Sequence, residues 1–128
     1  MIGFILVTHA GVGAQMVHAV EEIIKEKIGI PLIEVNSDQP TSIYHEEIRL
    51  AIESLGEKSG VLILTDLFGA TPSNLCRAFC KPGKIELLSG CNLPMLLKAA
   101  TSKLSGNVSE AAKFLKDYGN ENIRICPS

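Results

Sequence analysis

The chain has 128 residues, a net charge of -2, no Trp and an aromatic share of 5%. One compact domain with a sizeable core is expected, and disorder is excluded by the 46% of apolar residues. The charge balance supplies no positive field for phosphate backbones and the few aromatics no stacking platform, so nucleic acid is excluded as a partner.

The opening run Ile2 to Thr8 is apolar and rich in branched residues, which predicts a central strand covered on both faces. It has no cationic start and falls far short of the ~20 residues a bilayer crossing needs, so it is neither leader nor anchor. Val12, Met16, Val17, Val20, Ile24 and Ile28 then follow helical spacing, with Glu21, Glu22, Lys25 and Glu26 on the solvent side. Gly29 and Pro31 are expected to end that helix, and Pro31 to Val35 to form the second strand. A second helix starts after Pro40 with Thr41 as N-cap, turns Ile43, Ile48, Ile52 and Leu55 inward, and stops at Gly56.

Gly60 to Thr65 reads as another buried strand, followed by a helix from Pro72 to Phe79 with Thr71 as cap and Pro72 in its first turn. Lys84 to Ser89 is the fourth strand; Leu93 to Leu104 and Ser109 to Tyr118 are helices. Ile123 and Ile125 alternate with Arg124, which predicts a short antiparallel edge strand over Asn122 to Cys126. Strands joined by helical crossovers imply an α/β fold, a three-layer, doubly wound, mostly parallel sheet, for which the common order 2-1-3-4 is expected.

In such sheets ligands gather at the carboxyl ends of the strands. Strand one ends in Thr8-His9-Ala10-Gly11-Val12-Gly13, and strand three in Thr65-Asp66-Leu67-Phe68-Gly69-Ala70-Thr71-Pro72-Ser73-Asn74. With strands one and three adjacent, His9 and Asp66 come within hydrogen-bond reach. A carboxylate on one ring nitrogen fixes the tautomer and leaves the other nitrogen's lone pair outward as a nucleophile. The backbone N–H groups of Gly11 to Gly13 and of Phe68 to Thr71, with the Thr71 and Ser73 hydroxyls, are candidates to receive an anion. The same residues also have a bland reading, His9 bonding a neighbouring carbonyl and Asp66 capping the next helix.

Three segments carry a resemblance: Thr8 to Gly11, Leu64 to Asn74, and Ser89-Gly90-Cys91-Asn92-Leu93-Pro94-Met95. Together, in this order and covering most of the chain, they resemble the mannose-type (mannose/fructose/sorbose) enzyme IIA component of the bacterial phosphoenolpyruvate:sugar phosphotransferase system. The resemblance implies a cytoplasmic phosphocarrier that accepts a phosphoryl group on His9 from the histidine-containing phosphocarrier protein HPr and passes it to an enzyme IIB partner. It gives Asp66 the orienting role and sets Gly11, Phe68, Gly69, Ala70, Thr71 and Ser73 around the phosphoryl group, with Gly90 to Pro94 as another wall. It implies no cofactor and no metal, a homodimer through an exchanged C-terminal strand, and contact with the membrane only through the transporter complex. The family is often fused to an enzyme IIB module by an Ala/Pro-rich linker, which this sequence lacks, so a stand-alone component is expected.

Nothing in the chain matches a nucleotide-binding loop or a dinucleotide fingerprint. A chelatase-like metal-binding module using His9 is the alternative, but His18 and His45 fall inside helices and Cys76 and Cys80, at i and i+4, suit packing better than ligation. With Cys91 and Cys126 they show no paired spacing, so reduced thiols are expected. A receiver domain would want acidic residues after strand one, and a histidine phosphatase an Arg beside the nucleophile; Thr8 and Ala10 supply neither. Leu67 and Phe68, near the site, are candidates for a partner-protein contact or for the core.

Overall fold

The computed structural model describes residues 1–56 and 58–127. Its elements are β1 (Ile2–His9), α1 (Val12–Ile24), β2 (Leu32–Val35), α2 (Thr41–Ser54), β3 (Gly60–Thr65), α3 (Thr71–Arg77), β4 (Ile85–Leu88), α4 (Leu93–Thr101) and α5 (Val108–Glu121). The sheet has the expected order β2-β1-β3-β4, and every ladder in it is parallel.

Period-two alternation in the strands divides the core into two layers. Ile2 and Leu6 of β1 and Leu62 and Leu64 of β3 pack under α1, α4 and α5, with Val20, Leu96 and Leu115. Ile5, Val7, Val61 and Ile63 point the other way, with Tyr44 and Ile48 of α2 and Cys76 of α3. Carried on to the strand's end, the alternation sends Thr8 toward α1 and His9 toward α2 and α3. Gly3 lets Leu55 approach the sheet: a Cβ there would stand 2.8 Å from Leu55 Cδ1.

Several boundaries differ from the sequence reading. Helix α1 ends at Ile24 because Lys25 takes a left-handed conformation (φ 62) and returns its N–H to the Glu21 carbonyl. Ile28 reaches the same core layer from the connection, with its N–H on Glu21 Oε2 at 3.0 Å. Helices α2 and α3 begin one residue earlier than expected, so Pro40 and Ala70 hold the cap positions and neither Thr41 nor Thr71 caps by its side chain. Ile43 faces outward, while Tyr44 is buried in its place. Helix α4 stops at Thr101, short of Leu104.

The antiparallel edge strand does not form. Helix α5 continues to Glu121, and the residues beyond it fold back on its last turn. Asn122 Nδ2 donates to the Tyr118 carbonyl, Ile123 N–H to Asn120, and Arg124 Nε to Glu121. The backbone N–H groups of Asn122 and Ile123, turned to the Tyr118 and Asn120 carbonyls, are lost to a ladder, and Ile123 and Ile125 stay exposed.

Candidate functional site

The parallel β1–β3 ladder pairs Val7 with Thr65, so the residues that follow leave the sheet side by side. His9 is the last residue of β1, held by its ladder to Val35, and Asp66 is the first residue beyond β3. His9 Nδ1 lies 2.9 Å from Asp66 Oδ2, and the His9 backbone N–H donates to the same oxygen at 3.1 Å. The ring is 44% exposed and the carboxylate 13%; with Nδ1 held by Asp66, Nε2 is the ring nitrogen without a partner among the described residues. The other carboxylate oxygen, Asp66 Oδ1, is buried with no hydrogen-bond partner among the described residues. An acceptor left bare in this way favours whatever positive charge develops on the neighbouring ring.

His9 opens onto a cleft of about 510 Å³ between the β2–α2 connection and the start of α3. Ala10, Thr71 and Pro72 line it from the His9 side, and Asn36, Ser37, Gln39, Thr41 and Tyr44 from the other. The Tyr44 hydroxyl accepts the Asn36 N–H at 3.2 Å and so ties that connection to α2. The sequence reading missed this second wall, although the 2-1-3-4 order carried the signal: β2 runs beside β1, so whatever follows Val35 must stand next to His9.

The two loops expected to cradle an anion are partly occupied. Gly11 has φ 87, a left-handed value suited to glycine, and turns the chain into α1. The Gly13 N–H, however, is already given to Thr8 Oγ1 at 2.8 Å, and the Ala14 N–H to Glu34 Oε2 at 2.8 Å. At α1 that leaves the Gly11 and Val12 N–H groups without an acceptor among the described residues. Gly69, at φ 80, gives its N–H to Ser73 Oγ at 2.9 Å, and the Ser73 hydroxyl donates in turn to the Ala70 carbonyl. Ser73 is fully buried and shapes the turn from within, whereas Thr71 lines the cleft. Gly11, Phe68, Gly69, Ala70 and Ser73 are not among the residues lining it.

The Gly90–Pro94 segment is joined to the site from behind. The Cys91 N–H donates to the Thr65 carbonyl, and the Thr65 and Ser89 hydroxyls are 2.7 Å apart. Burial and then the charge of Asp66 push the Cys91 thiol up to about 12, and burial does the same to Cys76. Neither is a nucleophile at neutral pH. His18 lies on the surface of α1, and His45 packs on Phe79 with ring centroids 4.5 Å apart. No group of three or more His, Cys, Asp or Glu side chains is gathered for a metal among the described residues. Leu67 and Phe68 are 57% and 68% exposed, so the core reading of these two fails.

The family model described as "PTS system fructose IIA component" matches residues 3–116. The chain belongs to the mannose-type EIIA family of the phosphotransferase system. It is 32% identical, over 91% of its length and 85% of the relative's, to the sorbose-specific EIIA component of Lacticaseibacillus casei. It is 27% identical to the fructose-specific EIIA component of Bacillus subtilis (strain 168), in a match that spans 63% of this chain and 56% of that protein. Among solved structures, the mannose/sorbose specific IIA subunit from Enterococcus faecalis superposes with a TM-score of 0.86 at 23% identity, covering 98% of this chain and 95% of that one. The EIIA fold thus accounts for the sheet order. Among the described residues no helix is long and apolar enough to cross a membrane.

Proposed function

We propose that this EIIA chain is a phosphocarrier in which His9 Nε2 receives a phosphoryl group from HPr and yields it to an enzyme IIB partner. The observation that carries the reading is the 2.9 Å contact between His9 Nδ1 and Asp66 Oδ2. It holds the proton on Nδ1 and the free lone pair on Nε2. In the loading step that lone pair forms the new N–P bond as the donor's N–P bond breaks, and the electron pair of the broken bond returns to the donor imidazole. The positive charge that the His9 ring gains is balanced by Asp66, and the Nδ1 proton stays in its hydrogen bond. Unloading is the same displacement in reverse, with a cysteine or histidine of enzyme IIB as acceptor.

The phosphoryl group brings roughly two negative charges. We assign the Thr71 hydroxyl, together with the N–H groups of Gly11, Phe68 and Ala70, to its oxygens; Ser73 holds the Gly69 N–H and supports that turn from behind. Because the phosphoryl arrives already activated, positioning and electrostatics suffice, and neither nucleotide nor metal is called for. A metal-binding role would need further ligands around His9. The exposed pair Leu67 and Phe68 offers an apolar contact for the two protein partners beside the nucleophile. The reading places the chain in the cytoplasm, bound to the membrane only through its transporter, and as a homodimer.

The test is incubation with phosphoenolpyruvate, the general phosphotransfer proteins and the chain, read by intact mass. The wild-type chain gains one phosphoryl group, stable in base and lost in acid as a phosphoramidate is. His9→Ala gains none, and His18→Ala and His45→Ala gain as much as wild type. An undiminished gain in the His9 variant, or an acid-stable adduct, refutes the assignment.

A further inference from the structure

We propose that Thr8 is a positioning residue for phosphoryl transfer at His9, an inference that rests on the phosphocarrier reading and deepens it. Thr8 is the one hydroxyl-bearing residue in the run Ile2 to Thr8, and it is fully buried. Valine has nearly its shape and would suit a buried strand at least as well, so the hydroxyl calls for a reason.

Its two hydrogen bonds supply one. Thr8 Oγ1 accepts the Gly13 N–H at 2.8 Å and donates its own proton to the His9 carbonyl, also at 2.8 Å. The hydroxyl therefore bridges the first turn of α1 and the peptide that carries the nucleophile. Gly13 makes room for the bridge, since a Cβ at that position would fall 2.7 Å from Thr8 Oγ1. The Asp66 carboxylate holds His9 from the other side, at its N–H and at Nδ1.

His9 is thus gripped at three points: carbonyl, amide and ring. The ring alone would be free to swing about its Cα–Cβ bond if the peptide could tilt. Carbonyl and amide together fix that pivot, and the Asp66 contact then selects one ring orientation and one tautomer. Removing the hydroxyl leaves the Gly13 N–H and the His9 carbonyl without these partners, and the 9–10 peptide, then held only by the Ala10 N–H on the Val35 carbonyl at 3.0 Å, relieves the loss by tilting about that bond. Such a tilt moves Nε2, and phosphoryl transfer is sensitive to misplacement of an in-line nucleophile.

The experiment compares Thr8→Val, which keeps the volume, with Thr8→Ser, which keeps the hydroxyl. Single-turnover phosphorylation by saturating phosphorylated HPr gives a rate constant and, from the mass end point, the fraction of competent protein. Thr8→Val reaches the wild-type end point at a rate lowered roughly tenfold, equivalent to about 1.4 kcal/mol. Thr8→Ser restores the rate to within twofold of wild type. Nitrogen-detected NMR of the His9 ring reads the same effect without any donor: the Nδ1–H tautomer dominates in wild type and Thr8→Ser and is mixed in Thr8→Val. That second measurement separates a failure of the phosphocarrier reading, in which even wild type takes no phosphoryl, from a failure of the role of Thr8.

A Thr8→Val chain with the wild-type rate and tautomer overturns the proposal. So does one whose end point falls while its rate constant is unchanged, because that is a purely structural loss. Should the valine variant precipitate, Thr8→Cys, with a weak donor of similar size, takes its place and is judged by the same two outcomes.

Discussion

Replacing Asp66 by Ala separates the orienting role from stability. Asp66 Oδ2 accepts from the His9 amide at 3.1 Å and from Nδ1 at 2.9 Å, and each bond to an ionised acceptor is worth about 1.5–3 kcal/mol. The amide bond is present before and during transfer, so its loss costs folding free energy directly and reaches the barrier only through the placement of the ring. The ring bond strengthens as the imidazole gains charge, so its loss appears in the rate. With the ring 44% exposed, solvent screens part of that interaction and the lower part of the range applies, about 2 kcal/mol or roughly thirtyfold. Stability should fall by less than two lost bonds suggest, because the substitution also removes Oδ1, a buried oxygen without a partner whose desolvation costs about 1–3 kcal/mol. Rapid-quench phosphorylation from saturating donor, beside a denaturant titration, measures both quantities. Asp66→Asn, whose amide oxygen can keep both bonds but not the charge, should lie between Ala and wild type. A transfer rate for Asp66→Ala within threefold of wild type would refute the orienting role, as would a loss that merely tracks the unfolded fraction.

Two further expectations concern groups outside the histidine pair. Phe68→Ala and Leu67→Ala should raise the KM for the phosphorylated donor several-fold at nearly constant kcat, measured by steady-state transfer; a loss confined to kcat would take these side chains out of the docking surface. Iodoacetamide at neutral pH should label the exposed Cys126 and spare Cys76 and Cys91 in the folded chain, as peptide mass mapping would reveal. The same two thiols, raised by burial from the ordinary 9.0 to about 12, keep protons that the unfolded chain releases. Their contribution to stability is therefore complete below pH 9 and falls as pH climbs toward 12, and denaturant midpoints that rise over this range would contradict it.

Features with a period were legible in the sequence. The continuous apolar run Gly60 to Thr65 is β3 to the residue, and the crossover pattern implied a parallel sheet, whose common order 2-1-3-4 is the one that brings His9 to Asp66. What escaped were bonds between a side chain and a distant or local backbone group, which leave no periodic trace. Thr71 lost its expected cap and Ser73 its expected place at the anion, because the hydroxyl that stabilises the turn is the Ser73 one bonding Gly69. Glu34 looked like an ordinary strand residue, yet its carboxylate takes the Ala14 N–H and so fills part of the dipole end of α1. The tail failed as a strand because the backbone N–H groups of Asn122 and Ile123 found carbonyls at the end of α5 before any sheet edge. In each case local chemistry outcompeted pattern.

His9 belongs to a ladder rather than to a swinging arm: it ends β1, in register with Val35. In the phosphocarrier proposed above, a nucleophile fixed in the scaffold cannot shuttle between two docking stations, so giver and taker visit the same doorway in turn. Each excludes the other, and which way the cargo travels is decided by how full the two visitors are, as in a turnstile that passes traffic from either side.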